Sequence, residues 1–353
     1  MRKFLVQLIV LSAVLLAVCF GLSCVKFSDG FIVHKTKDTA YKKIGWNLNL
    51  IKNKPERIKN STIFLGSSLV QGAINDSLLV LSGVNAINMG VPHNGNEIGL
   101  YFTERLKNMS PKEIIILKGK TPFKGLHKMT PLLYTSITLL GNGQGINSDY
   151  IQFIFKKSKL CLEYLFFNLS SSETEYENYN KFLQKSYGVI YDKHEIPQHV
   201  YDYTMANFSG KKSDQYYNLY QNDFLYTNET DDNSVTNYLK VAKRRLVKKV
   251  WVESDFINNV GAQERFVQSI IQIGIDNKIA IRKIYIPKLV DVNTYSGYVR
   301  DDYQKVPSDS VGVYSLQDYG FLKSREHWAD FDHLDESGAN LYTQQITPFL
   351  KTN

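Results

Sequence analysis

The residues best suited to chemistry lie near the two ends of the folded part of the chain. In "TIFLGSSLVQG", Thr62 to Gly72, an apolar run stops at Gly66 and is followed by two serines, Ser67 and Ser68. Far downstream, "HWADFDHLDESGANLY" sets Asp330 three residues before His333. A serine hydroxyl becomes a nucleophile when a base takes its proton, and the base in turn needs a third group to orient its ring. The Asp-x-x-His spacing lets one short loop carry both base and carboxylate. Glu336, Ser337 and Gly338 then open a final helix that would hold this loop in place. In chain order the constellation is serine, aspartate, histidine, with Ser67 or Ser68 offering the hydroxyl, His333 as base and Asp330 as the orienting acid.

Two of the seven histidines compete for the role of base. His93 follows a second apolar run, and His327 precedes Trp328. Each residue also has an ordinary reading: a Gly-Ser-Ser turn after a strand is common, and either rival histidine fits a structural role or a substrate contact.

The elements that must position these groups can be read from periodicity. "TIFLG" (62–66), "VNAINMG" (84–90) and "EIIILKG" (113–119) are short apolar runs ending in glycine. Between the last two, "NEIGLYFTERLKNM" has apolar residues at helical spacing. The grammar returns in "SDFINNVGAQERFVQSIIQIGIDNK" (254–278), with Phe256, Val260, Phe266, Ile270 and Ile271 on one stripe. The strand "IRKIYIP" (281–287) and the closing helix "ESGANLYTQQITPFL" follow. Strands alternating with helices predict an α/β fold with a parallel sheet covered on its faces. In such folds ligands gather at the carboxyl ends of the strands, where a serine of the Gly66-Ser67-Ser68 turn would project.

Residues 125–250 break this pattern. They are polar and rich in tyrosine and phenylalanine, and they read as a mostly helical insertion or cap. Tyrosine at this density can stack on sugar rings or simply glue together an insertion with little core of its own. The run "KVAKRRLVKKV" (240–250) is basic on nearly every helical face, which suits either a solvated surface or a contact with anionic lipid or acidic glycan.

"GSSL" after the first strand, "NMG" after the second, and "DxxHL" followed by a glycine and a final helix resemble the sequence blocks of the SGNH (GDSL-like) hydrolase superfamily. The resemblance covers about 60–95 and 250–350, and is greatest to the exported, membrane-anchored branch that includes DltD-like and alginate O-acetylation proteins. It implies a three-layer α/β/α, flavodoxin-like core and a serine esterase or O-acyltransferase. Carried onto this sequence, the resemblance implies Ser68, at the third position of the block, as nucleophile, His333 as base and Asp330 as the orienting acid, with Ser67 standing where the family's usual aspartate would be and shaping the turn. It also implies an oxyanion hole built from the backbone N–H groups of Ser68 and Gly90. The third block departs from the family's GxND loop, for this chain has "LKGKTPF", Leu117 to Phe123. Asn94, Asn96, Lys118 or Thr121 could supply the missing donor, and the sequence does not choose among them.

At the N-terminus Arg2 and Lys3 precede about 21 uncharged residues, Phe4 to Cys24, long enough to span a bilayer. The segment reads as a membrane anchor, as a signal peptide with Gly21 and Ser23 at a cleavage site, or as a lipoprotein signal ending at Cys24. Each reading sends the domain out of the cytoplasm, although Lys26, Lys35, Lys37, Lys42 and Lys43 place more positive charge after the segment than before it. The expected organisation is an anchor or signal over 1–24, a juxtamembrane linker over 25–60, and an α/β domain over 61–353 with its insertion.

Composition narrows the classes. The 353 residues are 43% hydrophobic and 22% charged, ordinary for a folded protein. A net charge of +8 comes without a nucleic-acid motif. Cys19, Cys24 and Cys161 form neither a disulfide framework nor a metal spacing, and nothing calls for a metal or cofactor. The activity that the resemblance implies is transfer or hydrolysis of an ester, acetyl above all, on a cell-envelope or extracellular polysaccharide. For transfer, the resemblance implies a multi-spanning membrane acyltransferase partner. The alternatives are a simple esterase or lipase, or a glycan-binding scaffold subunit without chemistry.

Overall fold

The computed structural model describes residues 2–36, 39, 41–92, 95–117, 125–170, 260–287, 313, 314, 316, 319–322, 324, 327, 328 and 333–351. In chain order the elements begin with α1 (Arg2–Ser23), α2 (Asp29–Thr36), α3 (Lys42–Asn53) and α4 (Pro55–Ile58). Next come β1 (Thr62–Leu65), α5 (Ser68–Ala73), α6 (Asp76–Leu81), β2 (Ala86–Asn88), α7 (Asn96–Leu106) and β3 (Glu113–Leu117). The helices α8 (Thr130–Leu133), α9 (Ser136–Gly141), α10 (Ser148–Ser170) and α11 (Val260–Asn277) follow. The chain then forms β4 (Ala280–Ile284), β5 (Val313–Tyr314) and α12 (Glu336–Lys351).

The protein is α/β, with a five-stranded sheet in the order β2-β1-β3-β4-β5 and every described pairing parallel. Side-chain alternation along the strands explains why both faces are covered. Ile63 and Leu65 of β1 and Ile114 and Ile116 of β3 belong to one core, built with α2, α3, α7 and α11. Phe64 and Ile115, pointing the other way, belong to a second core with α5, α6 and α12. The chain runs from β1 outwards to β2 and then returns to place β3 on the other side of β1. This leaves a topological switch point between β1 and β3, the place outside whose carboxyl ends ligands bind in open α/β sheets.

Two readings of the sequence change. Residues 25–60, expected to be a linker, hold three helices packed into the first core, where Phe31, Ile32, Ile44, Trp46 and Leu48 are buried. The basic residues that suggested a linker coexist with an apolar face that α3 turns inwards. The first part of the expected insertion, α8 to α10, likewise contributes Leu132, Leu139, Tyr150 and Phe153 to that core. The tyrosine-rich stretches beyond 170 and the basic run 240–250 lie outside the described residues.

At the N-terminus, Lys3–Ser23 is one helix of 21 residues with a mean hydropathy of 2.7, long and apolar enough to cross a membrane.

Candidate active site

Ser68 enters the site from the end of β1. Gly66 lets the chain turn tightly there, because a Cβ at that position would lie 2.3 Å from Val70 Cγ2 and 3.3 Å from Leu117 Cβ. Ser67 caps α5, its Oγ accepting from the Leu69 N–H (3.3 Å), which leaves Ser68 as the first helical residue. The two serines therefore divide their work: one ends the turn, and the other projects from the helix start.

His333 arrives from the far end of the chain. Trp328 and Leu334 form an isolated antiparallel bridge, and both are buried in the second core. The Trp328 indole donates to the Leu322 carbonyl (2.8 Å). Asp335 then caps α12, its Oδ1 accepting from the Gly338 N–H at 2.8 Å and from Ser337 Oγ at 3.2 Å. Between a buried bridge and a capped helix, His333 has little freedom to swing away. Its Nε2 lies 2.7 Å from Ser68 Oγ, and both side chains are half-buried.

The pair meets because α5 and α12 are stitched together. The Asn75 N–H donates to Thr343 Oγ1 (2.9 Å), the Asn75 amide donates to Asn340 Oδ1 (2.7 Å), and Thr343 Oγ1 donates to the Ala73 carbonyl (3.2 Å). These bonds hold the end of α5 against α12, so Ser68 at the start of α5 and His333 just ahead of α12 stay in register. Asn75 and Thr343 are 268 positions apart, and no sequence signal marks either.

The second block is held from behind by Asn88. The Asn88 Nδ2 donates to the carbonyls of Val70 (3.0 Å), Gln71 (3.3 Å) and Ile74 (2.8 Å), and Oδ1 accepts the Gly90 N–H at 3.0 Å. The Asn88 backbone N–H donates to Asp76 Oδ2 (2.9 Å). Burial pushes the Asp76 carboxyl up and brings the Lys43 ammonium down to about 8, each opposed by the other's charge. Gly90 itself is packed against α5, for a Cβ there would stand 2.7 Å from Gln71 N and 3.0 Å from Gln71 Cα.

The other residues named from sequence fall as follows. Asn96 opens α7 and is bound to α11: its N–H donates to Gln263 Oε1 (2.8 Å) and its side-chain amide to the Gln263 carbonyl (3.2 Å). His327 Nδ1 lies 2.7 Å from Ser337 Oγ, at the outer side of α12. Asp330, His93, Asn94, Lys118 and Thr121 lie outside the described residues.

The arrangement is a parallel α/β sheet with a hydrogen-bonded serine and histidine at the carboxyl end of a strand beside its switch point. Comparison of the chain with family models, with curated proteins and with solved structures finds no match.

Proposed function

We propose that this protein is an exported, membrane-tethered serine enzyme of SGNH type that transfers or hydrolyses an ester, acetyl in the first instance, on a polysaccharide. The observation that carries this reading is the 2.7 Å contact between Ser68 Oγ and His333 Nε2 at the carboxyl end of β1. The strand order, with helices on both faces, supports a flavodoxin-like core of the kind the resemblance implies.

In this mechanism Ser68 Oγ attacks the acyl carbonyl while His333 Nε2 takes its proton. The tetrahedral intermediate carries negative charge on the former carbonyl oxygen. The Ser68 N–H, at the first position of α5, belongs to the amides that a helix leaves without an intrahelical acceptor. Collapse expels the alcohol, which takes the proton from His333, and leaves an acyl group on Ser68. A sugar hydroxyl or water then attacks that ester, with His333 again acting as base. Asp330 takes the role of the carboxylate that orients His333, as the resemblance implies. A multi-spanning acyltransferase would supply the acyl group if transfer is the task.

A second reading, a glycan-binding scaffold subunit without chemistry, is favoured by the Gly90 amide, which already donates to Asn88. One experiment separates the two. The full chain in detergent is treated with a fluorophosphonate and its adducts are mapped by mass spectrometry, with Ser68→Ala as control. An adduct on Ser68, absent in the control, is expected. A folded protein that carries none sinks the enzyme reading and leaves the scaffold. Acetate release from a chromogenic ester without transfer to added oligosaccharide would select the simple esterase.

A further inference from the structure

The helix α10 presents three faces where a surface helix ordinarily presents two. One face, with Phe153, Lys157 and Cys161, is buried against the core. A second is polar and exposed, carrying Gln152, Lys156 and Lys159. Between them runs an apolar stripe of Ile151, Phe155, Leu162, Leu165 and Phe166, whose side chains are 45, 45, 51, 51 and 71% exposed. At about 100° per residue these five fall within roughly 100° of arc. Five large apolar side chains in one exposed row form the kind of patch that marks a binding surface.

The stripe lies beside α1. Ser158, which falls between Leu165 and Ile151 in projection and is buried, donates to the Cys19 carbonyl at 2.7 Å. Ser23, the last residue of α1, is fully buried and its Oγ meets Ser136 Oγ, next to the exposed Ile137. Phe20 in the last turn of α1 is exposed as well. The serine hydroxyls at this seam are buried and hydrogen-bonded, so the exposed apolar surface of the spanning-length helix borders that of α9 and α10. Cys19 lies four residues, about 6 Å, inside the end of that helix.

We infer that the α10 stripe is embedded in the boundary layer of the same bilayer that α1 enters, with Lys156 and Lys159 directed to anionic lipid headgroups. Continuity with α1 fixes the occupant, because a stripe one helix diameter from the last turns of a membrane span is already at the depth where acyl chains give way to headgroups. Lys159 beside the stripe and Lys156 beyond it are placed as an interfacial helix places lysines to reach lipid phosphates, and the Glu163 carboxylate on the same face is paired with Lys35 at 2.8 Å. Two contacts, α1 through the bilayer and α10 along it, would set the height and tilt of the α/β domain above the surface, and so the distance of Ser68 from the membrane.

The inference rests on α1 remaining attached as a membrane span, and the test separates the two. The wild-type full chain is reconstituted in phosphatidylcholine vesicles with phosphatidylglycerol, containing a phospholipid with a diazirine near the headgroup end of one acyl chain. After photolysis the adducts are mapped by mass spectrometry. Adducts are expected on Ile151–Phe166 and on the last turns of α1. Leu162→Glu with Phe166→Glu, both at exposed positions, should remove the α10 adducts and leave those on α1. Omitting phosphatidylglycerol, or introducing Lys156→Glu with Lys159→Glu, should reduce the α10 adducts several-fold. Adducts on α1 alone overturn the inference while leaving the anchor intact. The absence of adducts on α1 overturns the anchor reading and this one with it. Protection of the stripe that appears only at high protein-to-lipid ratio, without lipid adducts, assigns it to a second copy of the chain and also overturns the inference.

Discussion

Asn88 holds the amide of Gly90: its Oδ1 accepts the Gly90 N–H at 3.0 Å, while its Nδ2 reaches three carbonyls at the end of α5. One buried side chain thus ties the loop after β2 to the helix that begins with Ser68. It also occupies the donor that the family resemblance assigns to the oxyanion. For Gly90 to serve an intermediate, its N–H must exchange this intramolecular acceptor for the substrate oxygen, while the carbonyl of the same peptide is held by the Asn47 amide at 3.0 Å.

Replacing Asn88 should therefore affect both stability and the site. Asn88→Ala leaves the carbonyls of Gln71 and Ile74 short of a donor in a buried place, the Val70 carbonyl keeping the Ile74 N–H, and should cost about 3 kcal/mol. Denaturant titration of the variant beside wild type checks this, and a change below the error of the fit would mean that the bracket contributes little.

Gly90→Ala probes the same contact from the other side. The added Cβ meets backbone atoms of Gln71 at 2.7 and 3.0 Å, so α5 itself must shift. The expected cost is about 1–3 kcal/mol, with slower labelling of Ser68. Gly141→Ala, where no atom lies within 4 Å, is the comparison and should be neutral. Equal melting temperatures for the two variants would contradict the packing described here.

His333→Ala removes the proposed base while leaving the fold nearly untouched, since the side chain is half-buried and its neighbours Leu334 and Trp328 carry the packing. Ester turnover and the rate of phosphonate labelling at Ser68 should both fall by about 10²–10⁴-fold. His327→Ala should leave both rates within a small factor of wild type, because His327 is engaged with Ser337. The reverse ranking would move the role of base to His327.

Lys157 supplies a pH test. Its side chain is fully buried, its Nζ has no hydrogen-bond partner among the described residues, and the ammonium stands 3.3 Å over the Phe27 ring. Burial brings it down to about 7, with Cys161 opposing the shift. Below pH 7 the lysine is protonated in both folded and unfolded chains, and the full burial penalty applies. Between about pH 7 and 10.5 the folded chain has released the proton and the unfolded chain still binds it, so stability rises with pH. Lys157→Met should raise the melting temperature at pH 6.5 and flatten the rise up to pH 10. A variant less stable than wild type at pH 6.5 would show that the contact with Phe27 outweighs the cost of burial.

Much of the scaffold was legible because its signals are local. The runs at 62–66, 84–90 and 113–119 became β1, β2 and β3, and the long stripe before 278 became α11, since alternation and helical spacing express how one segment meets one core. Residues 25–60 were misread for the complementary reason. Their lysines are spread over short helices whose apolar face, Phe31 to Leu50, shows only once there is something to pack against. The strand β5 has two residues and no periodic signal at all.

The sequence by itself determined the strand-helix alternation, the glycine-serine turn, the apolar helix at the N-terminus and the order in which serine and histidine appear. Each of these is written in neighbouring residues. Only the tertiary structure decided that Ser68 meets His333, that α5 is stitched to α12 through Asn75 and Thr343, and that Asn88 claims the Gly90 amide. Those pairings depend on which helices cover which face of the sheet. A hydrogen bond between residues more than 260 positions apart exists only when the packing of everything between them has brought the two atoms within 3 Å.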